Sequence, residues 1–356
     1  MSVLKTVYKQ TFIYGLATVV PKMLSFLLVR LHTDKSVLKN VSDYGEVSIV
    51  FVYFVLFNVI LAYGMETAFF RFFNKEPSKD KVLSTATISI LGSSLGFLGL
   101  GLLFQQQIAD LTHIHVNYIT LVVWTLFFDA LVIIPFAYLR AQGKPIKYTA
   151  VKLTNVVVNL ALNIFLLVYL KALSADNSIW DSIYVANFEV SYIFIANLVA
   201  SGVTLLILLP FYFKINYKID TLLWKKMLRY ALPVLVAGVA FSINETFDRV
   251  LLERLLPDAI AKTSVGMYSA CYKIALFMML FATAYRLGIE PFFFSQSKTK
   301  DATKNYAKIL EFFVICGALI LLIVVVFVDV LKLILIPNEA YWEAMKVVPI
   351  LLLAYL

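Results

Sequence analysis

The sequence predicts an all-α polytopic membrane protein in which two helical bundles, related as a parallel repeat, surround a central cavity. The first observation is composition: 61% of the 356 residues are hydrophobic and 15% are charged, whereas soluble domains carry about 25% charged residues. The second is a succession of long, continuous apolar segments. The third is an internal repeat at an offset of 224 residues. Because the segments are continuously apolar rather than alternating, they exclude a transmembrane β-barrel.

The apolar segments set the number of helices, because a transmembrane helix needs about 20 apolar residues. We expect spans near residues 11–31, 45–65, 82–104, 117–139, 153–170, 190–211, 231–251, 266–290 and 309–328. A tenth span begins near residue 341 and is unfinished at Leu356. We therefore expect an N-terminal six-helix bundle over 1–213 and an incomplete C-terminal bundle of about four helices over 214–356. The unfinished span predicts a fragment of a longer protein.

Lysine and arginine are distributed unevenly over the segments that connect these spans. With the N-terminus in the cytoplasm, nineteen fall in inner segments and six in outer ones, and this asymmetry sets the orientation of membrane proteins. The net charge of +9 therefore indicates topology and contact with anionic lipid headgroups. Because the basic residues form no single face, they do not indicate a nucleic-acid partner.

The repeat is clearest where the second and eighth spans end, at AYGMETAFFRFF (62–73) and RLGIEPFFFSQS (286–297). Compared without gaps, residues 27–70 and 251–294 share 13 of 44 identities, including matched Arg, Asp, Tyr, Gly and Glu. Six spans separate the two copies, so both cross the membrane in the same direction. Parallel repeats of this kind are typical of transporters.

Ionisable residues inside the spans are the first candidate functional residues, because each costs about 2.5–3.5 kcal/mol on insertion scales and normally faces a cavity or a partner. Two structural alternatives stay open. Arg30 can extend to the membrane interface, and the acidic and basic residues of the seventh span can neutralise one another on one helix face. The candidates within spans are Lys22, Arg30, Asp129, Glu245, Asp248, Arg249 and Lys273, and Arg254 follows just outside the seventh span.

Two further patterns concern helix packing. Asn155, Asn159 and Asn163 form a polar stripe on the fifth span, which favours hydrogen bonds between helices but could also face a cavity. Gly92 and Gly96 of the third span have the GxxxG spacing and, with Gly99 and Gly101, predict close helix packing.

Signals of catalysis are missing from the sequence. It contains no glycine-rich phosphate loop, no zinc-binding H-E-x-x-H motif and no nucleophile elbow, and its two cysteines lie in apolar spans. We therefore expect no enzyme, no metal site and no cofactor. A polytopic membrane enzyme of lipid-linked sugar metabolism is kept as an alternative.

Three segments carry a family resemblance: LSFLLVRLHTDKSVLKNVSDYGEVSIV after the first span, YLRAQGKPIKYT after the fourth, and FDRVLLERLL with VGMYSACYKIA across the seventh and eighth. In this order and spacing they resemble the polysaccharide-biosynthesis (oligosaccharide flippase) branch of the multidrug/oligosaccharidyl-lipid/polysaccharide exporter superfamily. The resemblance implies two six-helix bundles, often with two extra helices, so about ten of twelve to fourteen helices would be present here.

The resemblance also implies a function. A flippase of this kind moves a lipid-diphosphate-linked oligosaccharide from the cytoplasmic to the outer leaflet of a bacterial inner membrane by alternating access, for lipopolysaccharide or another surface polysaccharide. The implied partners are this substrate, anionic membrane lipids and a polysaccharide polymerase or glycosyltransferase. We expect the protein to be a monomer. An ion-coupled drug or metabolite antiporter of the same superfamily is the alternative, and its cavity would be dominated by aromatic residues and carboxylates.

The candidate residues receive roles under this interpretation. A diphosphate cannot cross hydrocarbon with its charge uncompensated, so we expect a cationic cavity made by Lys22, Arg30, Arg249, Arg254 and Lys273. The asparagine stripe would meet sugar hydroxyls. Candidates for coupling to a proton or sodium gradient are Asp129, Glu245 and Asp248. Candidates for a cytoplasmic gate are Glu66, Arg286 and Glu290, with Arg71 and Arg140 as further partners.

Overall fold

The computed structural model describes residues 20–21, 23–24, 26–176, 178–296 and 302–356. Within these ranges the side chains of residues 175, 176, 178, 179, 284, 286–296, 302, 304 and 305 are not described. The described chain is helical and contains no strand. A helical segment ends at residue 32 and is followed by α1 (Val41–Ala62), α2 (Met65–Lys75), α3 (Lys79–Leu103), α4 (Gln105–Thr112), α5 (Val116–Leu131), α6 (Ile133–Ala141), α7 (Pro145–Ile164), α8 (Leu170–Asp176), α9 (Ser178–Asp181), α10 (Glu189–Tyr212), α11 (Thr221–Leu255), α12 (Asp258–Gln296), α13 (Ala302–Val326), α14 (Val328–Leu335) and α15 (Val348–Ala354).

Two segments depart from α-helical geometry. A π-helical turn, Phe165–Tyr169, follows α7, and a 3-10 helix, Glu339–Val347, precedes α15. Local interactions favour the starts of α7 and α11. Pro145 opens α7, where its missing N–H costs nothing, and the Asp220 carboxylate accepts the Leu223 N–H at 3.0 Å at the start of α11.

Eight helical segments of the described chain are long and apolar enough to cross a membrane: Val41–Lys75, Lys79–Leu103, Val116–Ala141, Pro145–Ser174, Glu189–Tyr212, Thr221–Leu255, Asp258–Thr283 and Tyr306–Val326. They correspond in order to the second through ninth predicted spans, so the all-α polytopic fold is confirmed. The predicted span at 11–31 lies mostly outside the described residues.

Contacts divide the chain into two compact units, residues 1–45 with 256–356 and residues 46–255. These units are defined by contacts, whereas the boundary expected near residue 213 was defined by counting helices along the repeat. The bundles at 1–213 and 214–356 therefore stay a prediction.

The helix bounds follow the sequence repeat. Shifting α3 and α4 by 224 residues places them within one residue of α13 and α14 at both ends. The two copies differ at one point: α1 breaks at Gly64 before α2, whereas α12 runs without a break through the equivalent Gly288.

In the unit formed by residues 1–45 and 256–356, the N-terminal helical segment packs on C-terminal elements. The rings of Phe26 and Phe277 stack at 4.9 Å. The Arg30 guanidinium donates a hydrogen bond to the carbonyl oxygen of Ile334, and Tyr44 meets the fully buried Tyr341 edge-on at 5.9 Å. The two ends of the described chain therefore share one packed unit.

The starts of α1 and α12 cross in this unit at two glycines. A Cβ atom on Gly45 would lie 1.9 Å from the carbonyl oxygen of Lys262, and one on Gly266 would lie 2.3 Å from that of Val41. Both obstacles are backbone atoms, which cannot rotate away. The helices approach this closely only because both positions lack a side chain.

Gly266→Ala is therefore expected to destabilise the protein by about 1–3 kcal/mol, the usual cost of overpacking. The measurement is the thermal unfolding midpoint of detergent-purified protein. Gly202→Ala is the matched control, because its Cβ would lie at an ordinary 3.7 Å from the Phe128 ring. Equal midpoints for the two variants would contradict the close crossing.

In the unit formed by residues 46–255, an apolar core joins α2, α3, α6 and α11. Its buried members include Phe69, Ile90, Ile134 and Met227. The prediction of close packing was wrong for Gly92, Gly96 and Gly99, because an added Cβ at each position meets no described atom within 4 Å. It is confirmed for Gly101, where an added Cβ would lie 2.9 Å from the Val123 side chain.

Candidate functional site

A polar cavity of about 430 Å³ lies within the unit formed by residues 46–255. Its walls come from α1, α2, α5, α6, α7 and α10. The lining includes charged, amide, hydroxyl, aromatic and aliphatic side chains: Phe54, Asn58, Ala62, Glu66, Asp129, Val132, Ile133, Phe136, Tyr148, Lys152, Asn155, Asn197, Ser201 and Thr204.

The cavity lies beside a break between α5 and α6 at Val132. Pro135 has no N–H, so the carbonyl oxygen of Leu131 loses its normal helical partner. The Tyr212 hydroxyl from α10 donates a hydrogen bond to that oxygen. Membrane helices tolerate proline because groups on neighbouring helices form hydrogen bonds with the backbone carbonyl that the proline leaves without a partner. The break is therefore stabilised, and it places Asp129 and Phe136 on the cavity wall.

Asp129 is the only acidic residue of α5. Its carboxylate interacts with the polar side chains of Ser201 and Asn58 and electrostatically with Lys152. These groups come from α10, α1 and α7. Three helices thus supply partners for one carboxylate.

Lys152 is the matching cation. Its ammonium interacts with the carboxylates of Asp129 and Glu66 and lies 4.6 Å from the centre of the Phe136 ring, a favourable cation–π distance. Lys152 therefore interacts with both acidic groups of the cavity, and it is also repelled by the Arg140 guanidinium.

Glu66 has a second partner, because it forms an ion pair with the Arg140 guanidinium. Arg140 also lies over the Phe70 ring at 4.6 Å. We call Glu66, Asp129, Arg140 and Lys152 the charge quartet. It contains two negative and two positive groups, so its formal charge is zero.

The asparagine stripe of α7 faces α10. The Asn155 amide donates to the Thr204 hydroxyl at 2.9 Å, and the Asn159 amide donates to Asn197 at 2.8 Å. Asn163 is fully buried and donates back to Asn159 at 2.6 Å. The stripe therefore joins the two helices, and only its first member lines the cavity. The π-helical turn that follows, Phe165–Tyr169, is a feature common at functional sites.

The other predicted site residues lie elsewhere in the described structure. Arg249 is buried in α11, where it pairs with Asp248 at 3.5 Å and donates to the Glu245 carbonyl oxygen at 3.3 Å. Arg254 donates to the carbonyl oxygen of Leu111 at 2.8 Å.

Two more of the predicted cations, Arg30 and Lys273, belong to the unit formed by residues 1–45 and 256–356. Lys22 lies outside the described residues, as do the side chains of Arg286 and Glu290. The expected convergence of the five cations stays a prediction.

Sequence reasoning missed Lys152 as a site residue, together with the α10 hydroxyls. A signal was present. Lys152 precedes Asn155 by three positions and Asn159 by seven, so it continues the stripe on one helix face. It was assigned to a connecting segment because the fifth span was expected to begin at residue 153, whereas α7 begins at Pro145.

The comparison with protein families decides the assignment. The family model described as polysaccharide biosynthesis protein matches residues 7–295, which is most of the chain. The chain belongs to the polysaccharide biosynthesis protein family. No curated protein sequence matches the chain. The family is that of the predicted resemblance, which is thereby confirmed.

Solved structures with the same fold are transporters. An inward-facing multidrug resistance MATE family transporter of the MOP superfamily is 12% identical, with a TM-score of 0.68 over 95% of this chain and 78% of that one. An outward-facing one is 14% identical, with a TM-score of 0.60 and coverage of 99% and 79%. A MOP superfamily transporter from Pyrococcus furiosus, described by the reversed polarity of its binding pocket, is 15% identical, with a TM-score of 0.53 and coverage of 98% and 84%. These likenesses show that the chain has the fold of these transporters.

Proposed function

We propose that this transporter moves a lipid-diphosphate-linked oligosaccharide from the cytoplasmic to the outer leaflet of a bacterial inner membrane, by alternating access and with its N-terminus in the cytoplasm. The observation that carries the proposal is a polar cavity with a charge quartet inside an apolar helical bundle of a polysaccharide biosynthesis protein. Charged groups at this depth are costly and are kept for transport or coupling. No covalent chemistry and no cofactor are required.

The charge quartet suits a moving part of such a cycle. Glu66 and Arg140 come from α2 and α6, so their ion pair ties two helices together at the cavity. We place the cytoplasmic gate at this pair and assign Asp129 as the coupling carboxylate. Arg71, the other nearby gate candidate, stacks on Tyr230 at 4.3 Å instead.

Depletion of the protein in the organism that carries its gene is expected to trap lipid-linked oligosaccharide in the inner leaflet. The measurement is the fraction of labelled lipid-linked sugar that an added glycosidase reaches in spheroplasts. Glu66→Gln is expected to lower this fraction several-fold in complemented cells without loss of membrane insertion, because Arg140 loses its partner. Glu76→Gln is the control, because Glu76 lies just past the end of α2 and does not line the cavity. Unchanged accessibility after depletion would overturn the proposal.

A second function is favoured by one observation, since the cavity contains two carboxylates and two phenylalanine rings. This is the chemistry expected of an ion-coupled antiporter for drugs or metabolites. Expression of the protein in a drug-sensitive host distinguishes the antiporter function from the flippase function. An antiporter would lower the accumulation of ethidium in a gradient-dependent manner, whereas the flippase would leave it unchanged.

A further inference from the structure

We propose that the cavity binds the sugar part of the substrate as an uncharged pyranose and that it does not bind the diphosphate. The inference rests on the proposed function and deepens it, because it assigns this site to one chemical part of the substrate. A cavity that binds a neutral sugar differs from the cationic cavity expected from the sequence, which is the simplest arrangement for an anionic lipid.

The charge quartet argues against an anion. Both of its cations already face carboxylates: Arg140 pairs with Glu66, and Lys152 interacts with Glu66 and Asp129. A diphosphate would have to displace these carboxylates from their cations. Displacing the largely buried Asp129 would leave its charge without compensation, which is strongly unfavourable. The penalty is smaller for Glu66, whose side chain is 40% exposed. A neutral ligand leaves both interactions in place.

The hydrogen-bonding groups of the cavity match hydroxyls. Asn58, Asn155 and Asn197 bring amides that both donate and accept, and Ser201 brings a hydroxyl. The Thr204 hydroxyl donates to the carbonyl oxygen of Ala200 and offers the cavity an acceptor. Sugar hydroxyls likewise both donate and accept. The bond from Asn155 to Thr204 uses one of the two N–H donors of that amide, and the amide also has an oxygen with two lone pairs.

The apolar part of the lining matches the other face of a pyranose. Phe54 presents its ring to the cavity beside Val132 and Ile133, and the C–H groups of a sugar ring pack well on such surfaces. The Phe136 ring also lines the cavity, with the Lys152 ammonium over one face. The volume of about 430 Å³ lies in the range of about 300–1,000 Å³ typical of small-ligand sites. The cavity therefore has the size of a small sugar and not of a complete lipid-linked oligosaccharide.

The test measures ligand protection of the purified, detergent-solubilised protein against thermal unfolding. The neutral probes are glucose, galactose, rhamnose and N-acetylglucosamine, and the anionic probes are glucuronate and pyrophosphate, all up to tens of millimolar. We expect at least one neutral sugar to raise the unfolding midpoint with saturation, as binding to the native state requires. We expect neither anion to protect through this cavity.

Variants connect any protection to the cavity. Asn155→Leu is expected to weaken binding of the protecting sugar about tenfold, because it removes hydrogen-bonding capacity at the wall. Ser201→Ala is a milder variant that serves if Asn155→Leu does not fold. Asn216→Leu is the matched control, because Asn216 is exposed in the segment that connects α10 and α11. General stabilisation by sugar as an excluded solute would persist in every variant.

Three outcomes decide the matter. Saturable protection by a neutral sugar that the cavity variants weaken and Asn216→Leu does not supports the site. Protection by no neutral sugar overturns it, and so does protection by pyrophosphate that Asn155→Leu or Ser201→Ala removes. The flippase proposal is judged separately, because sugar binding without any change in leaflet accessibility after depletion would reject transport and keep the site.

Discussion

Lys152→Met is expected to lower the free energy of unfolding by about 1–3 kcal/mol, the usual cost of removing one partner of a buried polar group. The variant removes the cation that interacts with Asp129 and Glu66. Arg140 cannot replace it fully, because Arg140 is already paired with Glu66. Adding Asp129→Asn removes the uncompensated charge and is expected to restore most of the lost stability.

The measurement is a double-mutant cycle on thermal unfolding midpoints of protein reconstituted in lipid nanodiscs. A coupling free energy of at least about 1 kcal/mol between the two sites is expected, as for groups in one electrostatic network. Lys147→Met is the matched control, because Lys147 lies on the same helix and is exposed. Additive effects of Lys152→Met and Asp129→Asn would show that the two groups do not depend on each other.

The same cycle distinguishes stability from function. The double variant keeps the cavity neutral but has lost the titratable carboxylate and its cation. If Asp129 couples transport to an ion gradient, the double variant should be stable and inactive in the leaflet assay. Full activity in a stable double variant would remove Asp129 from the coupling role and leave it a structural part of the charge quartet.

Much of the fold was predictable because the bilayer imposes a simple requirement on the sequence. Apolar runs of the necessary length identify the spans, and the 224-residue offset predicts the bounds of α13 and α14 from those of α3 and α4. The two copies diverge at Gly64, where the helix breaks, and Gly288, where it does not. Identical residues in an apolar repeat do not specify such a break, because it depends on the packing of each copy against its own neighbours.

The candidate site was predictable only in part. Asp129 and Asn155 stand out as polar residues in apolar spans, and both line the cavity. Their partners could not be found by the same criterion. Lys152 immediately precedes the predicted start of the fifth span, where lysine is common, and Ser201 and Thr204 are ordinary residues in a membrane helix. Their significance comes from the tertiary approach of α7 and α10, which no local pattern specifies.

Gly64→Ala is expected to be among the most destabilising small substitutions in the unit formed by residues 46–255. Gly64 has φ of 73°, a conformation that costs a residue with a Cβ roughly 1–2 kcal/mol. That Cβ would also lie 2.4 Å from the carbonyl oxygen of Ala231 and 2.9 Å from the Cβ of Val234. Overpacking against α11 adds about 1–3 kcal/mol, so a total of about 2–5 kcal/mol is expected.

The effect should reach the cavity, because Gly64 sets the direction in which α2 leaves α1 and Glu66 lies two residues later. We expect Gly64→Ala to lower the thermal unfolding midpoint and to reduce transport in the leaflet assay even at temperatures where the protein remains folded. Gly96→Ala is the control, because its Cβ meets no described atom within 4 Å and alanine favours a helix by up to about 1 kcal/mol over glycine. A Gly64→Ala protein as stable as Gly96→Ala would mean that α11 can move aside without cost, and the break at Gly64 would then not fix the position of Glu66.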